Sequence, residues 1–440
     1  MSRSRSGQAI FGVVWIGQLV STVGSGLTSF ALGLWVLGKT ESVTSYVLIG
    51  LCAVVPRIVL SPFAGVFVDR WDRRRVMLVA DLGSLVIVTT MLALLATGRL
   101  EVWEIYVAAG VGGALAAFQW PAWTAATTLL VPPRYLGRAA GLGMVAQAAS
   151  DVFAPLLAGM LVATVGIVPI LALDVFSFAV AVGALAVVRF PEVAASARAV
   201  VRPMLAQVGD GWRYMRTRPE LLALLAFLAM VAFVEGFVGA LLAPLVLGFA
   251  SAQGLGLVLS AAGVGMLAGG LLMAAWGGPS RRVLGVVVGE LASGIAFVAM
   301  GLRPELVLVA AGAFAAHFAA TIVFGSNQAI WQMQVPPELQ GRVFATRQMV
   351  ERAMTPFAFI VAGPLVERVL EPLVHSGGSA GATLRGVLGT GDARGIGLLF
   401  VLLGLAQVAL AVGAFGFGRL RAIDVPVGAT PGSAPVAATD

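Results

Sequence analysis

The stretch VLIGLCAVVPRIVLSPFAGVFVDRWDRRRVMLVADLGSLVIVTTMLALLATG, residues 47–98, sets two long apolar runs on either side of the charge-dense segment GVFVDRWDRRR at 65–75. A helix needs roughly 20 mainly apolar residues to cross the hydrocarbon core of a bilayer, and each run supplies about that many. The segment therefore predicts one transmembrane helix, a tight charged turn at the water interface, and a second helix running back.

The same pattern recurs along the chain. Hydrophobic residues make up 59% of 440 positions and charged residues 11%, and mean hydropathy is +0.97, a balance foreign to a soluble domain. Apolar windows fall at about 10–38, 45–67, 76–98, 102–129, 138–165 and 167–188, then at about 221–248, 254–276, 283–302, 305–331, 343–370 and 395–418. They are numbered spans 1 to 12. The expected fold is an all-α integral membrane protein of twelve transmembrane helices in two six-helix bundles, residues 1–188 and 221–418. A central cytoplasmic linker at 189–220 and a disordered cytoplasmic tail at 419–440 complete the expected domains.

Orientation follows from the basic residues. With both termini inside, 19 of the 28 Lys and Arg lie in cytoplasmic segments, 6 in external loops and 3 within spans, as the positive-inside rule requires. The net charge of +7 is thus read as membrane topology, with no nucleic-acid partner, because its residues stand singly between apolar runs. An internal repeat supports two halves: VPPRYLGRA at 131–139 returns as VPPELQGRV at 335–343, and the same offset of 204 relates Gly65 to Gly269 and Ala158-Gly159 to Ala362-Gly363. Halves repeated in this way are related by an axis along the membrane normal.

Within the turn at 65–75, Gly65 permits close helix approach, Asp69 can accept hydrogen bonds from a neighbouring helix N-terminus, and Arg70, Arg73 and Arg74 can pair with carboxylates or helix C-termini. Asp81 stands close enough in sequence to pair with those arginines. Such a cluster suits a conformational latch; an ordinary basic loop is the competing reading. The segment resembles the signature loop of the major facilitator superfamily. Together with FQWPAWTAATTLLVPPRYLGRAAGL and VPPELQGRVFA, it is similar to the drug:proton antiporter branch, which includes macrolide and enterobactin exporters. Asp72 departs from the general pattern, which prefers glycine, and the second-half counterpart GGLLMAAWGGPSRRV has no acid. DVFAPLLAG at 151–159 resembles a worn antiporter motif, with Pro155 bending span 5 and Gly159 allowing tight packing.

The resemblance implies that spans 1, 4, 7 and 10 line a central cavity and that spans 2, 5, 8 and 11 form the contacts between halves. Cavity candidates are then Gln18, Phe30, Gln119, Trp120, Trp123, Phe233, Phe237, His317, Asn327 and Gln328, with aromatic belts at the interfaces as the alternative for the tryptophans. Ionisable groups inside spans weigh more, since a central charge costs at least about 2.5–3.5 kcal/mol on insertion scales. Glu235 and Asp151 lie near the midplane, where desolvation favours a neutral acid, and are the proton-coupling candidates, Glu235 first. Arg57 and Glu351 have matching depths and form a candidate pair between halves; a local Glu351–Arg347 pair, four residues apart, competes with it.

These features predict a transporter of the inner (cytoplasmic) membrane, monomeric, whose partners are a small-molecule substrate, protons and the lipid bilayer. No cofactor or metal is expected: the chain has one cysteine and two histidines, far apart, without zinc-ligand spacing, and no phosphate-binding GxxxxGK[ST] loop. The expected activity is therefore not enzymatic. A lipid or metabolite flippase without proton coupling remains the alternative to a proton-driven exporter.

Overall fold

The computed structural model describes residues 2–132, 136–188, 190, 204–376 and 378–416. It contains α1 (Ser2–Thr40), α2 (Val43–Arg70), α3 (Arg73–Ala96), α4 (Val102–Leu130), α5 (Leu136–Thr164), α6 (Ile167–Val187), α7 (Met204–Arg216), α8 (Pro219–Leu247), α9 (Ala252–Trp276), α10 (Arg282–Leu302), α11 (Leu306–Gln334) and α12 (Pro337–Leu365). A π-helical turn, Val366–Leu370, follows α12, and then α13 (Glu371–His375), α14 (Ser379–Leu388) and α15 (Arg394–Gly416). Apolar runs fold this way because hydrocarbon offers backbone N–H and C=O groups no partner outside their own helix. Polar residues at the run ends satisfy the remaining donors. Ser42 caps α2 by accepting from the Ser45 N–H, and Glu101 and Glu104 form a capping box on α4. Asp72, the departure from the signature pattern, caps α3 by accepting from the Arg74 N–H at 3.0 Å.

Ten of the described helices are long and apolar enough to cross a membrane, which makes this a multi-pass membrane protein. The expected count of twelve is reached only by adding α5 and α12, which run alongside the ten at 29 residues each but are not among them. The first half of α12 carries Arg342, Arg347, Glu351 and Arg352, which keeps it outside the ten. Within the expected linker the structure places the 13-residue helix α7, held against α12 and α8; Tyr214 Oη donates to the Gln334 carbonyl at 2.9 Å. The rest of that linker, 191–203, and the expected tail, 419–440, lie outside the described residues.

Helices α1 to α6 pack mainly on one another, as do α8 to α12 with α15, and the two groups meet through α2 against α12 and α5 against α9. These are the contacts expected of spans 2, 5, 8 and 11. Both close at the end that carries the α1–α2 turn, here termed the far end. A Cβ on Gly159 would lie 2.6 Å from the Ala252 carbonyl oxygen, so glycine is what lets α5 approach α9 there. Ser260 Oγ donates to the Val152 carbonyl at 2.6 Å across the same contact. On the other contact Glu367 receives Ser42 Oγ at 2.9 Å, the Thr44 N–H at 3.0 Å and Thr44 Oγ1 at 2.7 Å. The largest apolar core gathers Leu241, Val258, Met300 and Phe400 of the second group and also takes Phe30, Val43 and Tyr46 from the first.

Candidate functional site

The charge-dense turn binds within its own group of helices. Arg74 Nε donates to the Leu185 carbonyl at 2.7 Å and its Nη2 to the Ala186 carbonyl at 2.9 Å, so its guanidinium closes the C-terminus of α6. Arg75 sits 3.6 Å from Asp72 on the surface, and Arg73 Nε has no partner among the described residues. The surroundings of Gly65 and the side chains of Asp69 and Arg70 lie outside what the structure describes.

Asp81 does not join these arginines, which corrects the expected pairing. It is 3% exposed and turns inward, accepting from Gln18 Nε2 at 2.7 Å and from Gln119 Nε2 at 2.9 Å. Gln119 Nε2 also donates to Gln18 Oε1 at 2.9 Å, which closes a triangle between α1, α3 and α4. Sequence distance along α3 placed Asp81 near the turn, but the helical phase that carries it to the interior was decided by packing. The triangle forms one wall of a cavity of about 730 Å³ inside the first six helices, which Arg57, Asp151 and Asp174 also line.

The second group of helices holds a separate polar cluster. Arg347 Nε donates to Glu351 Oε1 at 2.9 Å, its Nη1 to Gln328 Oε1 at 3.3 Å, and its guanidinium lies 5.4 Å from the Trp331 ring centre. Glu351 is thus held locally, and the expected Arg57–Glu351 pair does not form: helical spacing of four residues brings Arg347 alongside with no strain, while Arg57 lies within electrostatic range of Arg352. Glu235, on α8 about 24 Å from its start by helical rise, is not covered by neighbouring side chains. It has no hydrogen-bond or ion-pair partner among the described residues, and Glu351 is near enough for the two charges to interact. Asp151, the reserve candidate, lines the cavity inside the first six helices.

The remaining candidates divide. His317 is exposed, with Nδ1 3.0 Å from the Ala313 carbonyl, and shares a helix face with Gln328, three turns on. Phe233 packs edge-on against Phe237 at 5.1 Å, but Phe237 is core, and Asn327 is 5% exposed. Trp123 stacks on Phe11 at 5.4 Å between α4 and α1, Phe30 packs into the core shared by the two groups, and Trp120 is 60% exposed. Asp174, Glu290 and Glu367 are acids outside the candidate set. Glu290, 2% exposed, accepts from Gln407 Nε2 at 2.7 Å; it carries the same sequence signal as Glu235, a charge inside an apolar window, but on a span outside the cavity and contact sets. Glu367 stood too near a span end to be singled out.

The profile of the Major Facilitator Superfamily matches residues 14–359. Macrolide efflux protein A of Streptococcus pyogenes is 26% identical over 368 residues, covering 82% of this chain and 90% of that one. The multidrug efflux pump Tap of Mycolicibacterium fortuitum is 25% identical over 428 residues, covering 94% and 97%. Among solved structures, a bacterial homolog of the human lysosomal transporter Spinster, inward-facing and unoccupied, superposes with a TM-score of 0.69 at 14% identity, covering 95% of this chain and 97% of that one. Paired helix contacts between two groups, buried carboxylates inside apolar spans and a family match over most of the length agree: the chain belongs to the Major Facilitator Superfamily of membrane transporters.

Proposed function

We propose that this protein exports a small hydrophobic or amphipathic compound, a drug, a macrolide-like natural product or a siderophore, across the cytoplasmic membrane by proton antiport. Residues 1–188 rock against 221–418, both termini are cytoplasmic, and a monomer suffices. The observation that carries the reading is Glu235: a carboxylate midway along an apolar helix, without a hydrogen-bond partner among the described residues and within electrostatic range of Glu351. An unpaired acid at that depth is costly to keep and favours a bound proton or a bound cation. Competition between those two ligands couples their fluxes without a separate relay. The macrolide and multidrug efflux proteins among the relatives support the direction and the substrate class. In this scheme the turn at 65–75 latches the cytoplasmic side through Asp69.

The test is energised uptake into inverted membrane vesicles against a panel of macrolides, other hydrophobic drugs and siderophores, with and without an uncoupler. Accumulation should collapse with the proton gradient. Glu235→Gln should lose gradient-driven accumulation yet keep substrate exchange at equal proton concentration, and Asp151→Asn should keep both. Normal accumulation in Glu235→Gln overturns the coupling assignment, and accumulation indifferent to the uncoupler overturns antiport.

A further inference from the structure

The cavity inside the first six helices has a wall that the export reading does not use. Gln18, Ser21, Thr22, Ser25, Thr28 and Ser29 all line it, and their spacing of three, four, seven, ten and eleven residues places them on one face of α1. A polar stripe about 16 Å long by helical rise thus runs up the inside of this half. Its hydroxyl protons are spent on the helix itself where bonds are formed: Ser21 Oγ donates to the Gln18 carbonyl at 3.2 Å and Thr22 Oγ1 to the same oxygen at 2.7 Å. What such groups leave facing the cavity is oxygen lone pairs.

At the far end of the stripe stands Asp174 of α6, fully buried at 0% exposure. Ser177 Oγ donates to its Oδ1 at 3.0 Å, but Oδ2 has no partner among the described residues. Thr28 lies beside it, yet Thr28 Oγ1 completes no hydrogen bond of normal geometry either, and Gln119 Oε1 at the opposite end of the stripe is likewise unsatisfied. The place is made for the carboxylate: a Cβ on Gly24 would come within 2.6 Å of Asp174 Oδ1, so α1 carries glycine where α6 presents its acid. A buried acceptor left without a donor costs about 1–3 kcal/mol, more when charged. The charged side chains around the cavity are Asp81, Asp151 and Asp174 against the single cation Arg57. The opposite walls are apolar, with Ile49, Val54, Ile87 and Met91.

We propose that this cavity, among the helices of the first half, is a second ligand site which takes a protonated amine: its N–H donors meet Asp174 Oδ2 and the α1 stripe, and its apolar body fills the α2–α3 side. The volume of about 730 Å³ is within the range of pockets that enclose drug-sized molecules. The site concerns equilibrium occupancy, so it stands or falls apart from proton coupling at Glu235.

The test is equilibrium binding of radiolabelled 1-naphthylmethylamine to the purified full-length protein without a gradient, beside its N,N,N-trimethyl derivative, which keeps the charge and the apolar body but has no N–H. The primary amine should bind about tenfold or more tightly than the quaternary one, as expected for loss of charge-assisted hydrogen bonds. Asp174→Asn should erase that preference, and Ser25→Trp, which fills the stripe midway, should abolish binding even if the first variant folds poorly. Equal affinity for the two amines, or binding unchanged in both variants, overturns the proposal. Binding lost in Glu235→Gln but kept in Asp174→Asn places the amine at the interface between the halves and overturns it as well.

Discussion

Glu367 holds the far end of the molecule together, and its removal should open that end. Its carboxylate takes three hydrogen bonds from Ser42, the cap of α2, and Thr44 in its first turn, at 2.9, 3.0 and 2.7 Å, and so ties the π-helical turn after α12 to the opposite half at a helix N-terminus. In Glu367→Gln the amide oxygen can keep the two bonds at Oε1, while the third must reverse so that Thr44 Oγ1 accepts. Losing the charge at a helix N-terminus costs about 0.3–1 kcal/mol, and weakening the charge-assisted bonds brings the total to about 1–3 kcal/mol. Every 1.4 kcal/mol is a tenfold change, so the ratio of far-end-closed to far-end-open molecules should fall by about 5–150-fold. Spin labels at Thr97 and Glu305, exposed far-end positions on the two halves, in a Cys52→Ser background report this by pulsed dipolar distance distributions. A longer-distance population should appear in Glu367→Gln and grow in Glu367→Ala. Distributions identical to the parent in both variants refute the clasp.

Two further outcomes follow from the site geometry. Arg347 and Glu351 should show a coupling of about 0.5–3 kcal/mol in a double-mutant cycle read by thermal unfolding, whereas Arg57 and Glu351 should be additive; coupling between 57 and 351 would restore the pair across the halves. Arg74→Gln removes two guanidinium bonds to the end of α6 and should lower stability by about 1–2 kcal/mol, seen as a reduced Tm in detergent. An unchanged Tm would show that this closure contributes nothing.

The spans were legible because the rule behind them is one-dimensional: a helix in hydrocarbon needs a run of apolar residues, and charges gather at the ends. The repeat was legible for a related reason, since an offset of 204 carries α5, Leu136–Thr164, to within a few residues of α12, Pro337–Leu365. Side-chain partners were not. Asp81 lies eight residues after Arg73 along the chain, yet its carboxylate belongs to Gln18 and Gln119, 63 and 38 residues away. Glu351 matched Arg57 in estimated depth, but depth fixes only one coordinate, and the rotation of α12 gave the carboxylate to Arg347.

The sequence by itself determined the membrane class, the alternation of apolar run and polar turn, the superfamily resemblance and the few residues whose burial would be costly. Tertiary structure alone decided which of those residues meet, because a helix in lipid is stable at any rotation about its axis and only packing against neighbours selects one. That selection turned Gln18, Gln119 and Asp81 into one cluster, left Glu235 uncovered beside Glu351, and set Asp174 against Gly24 in a cavity no linear pattern announces.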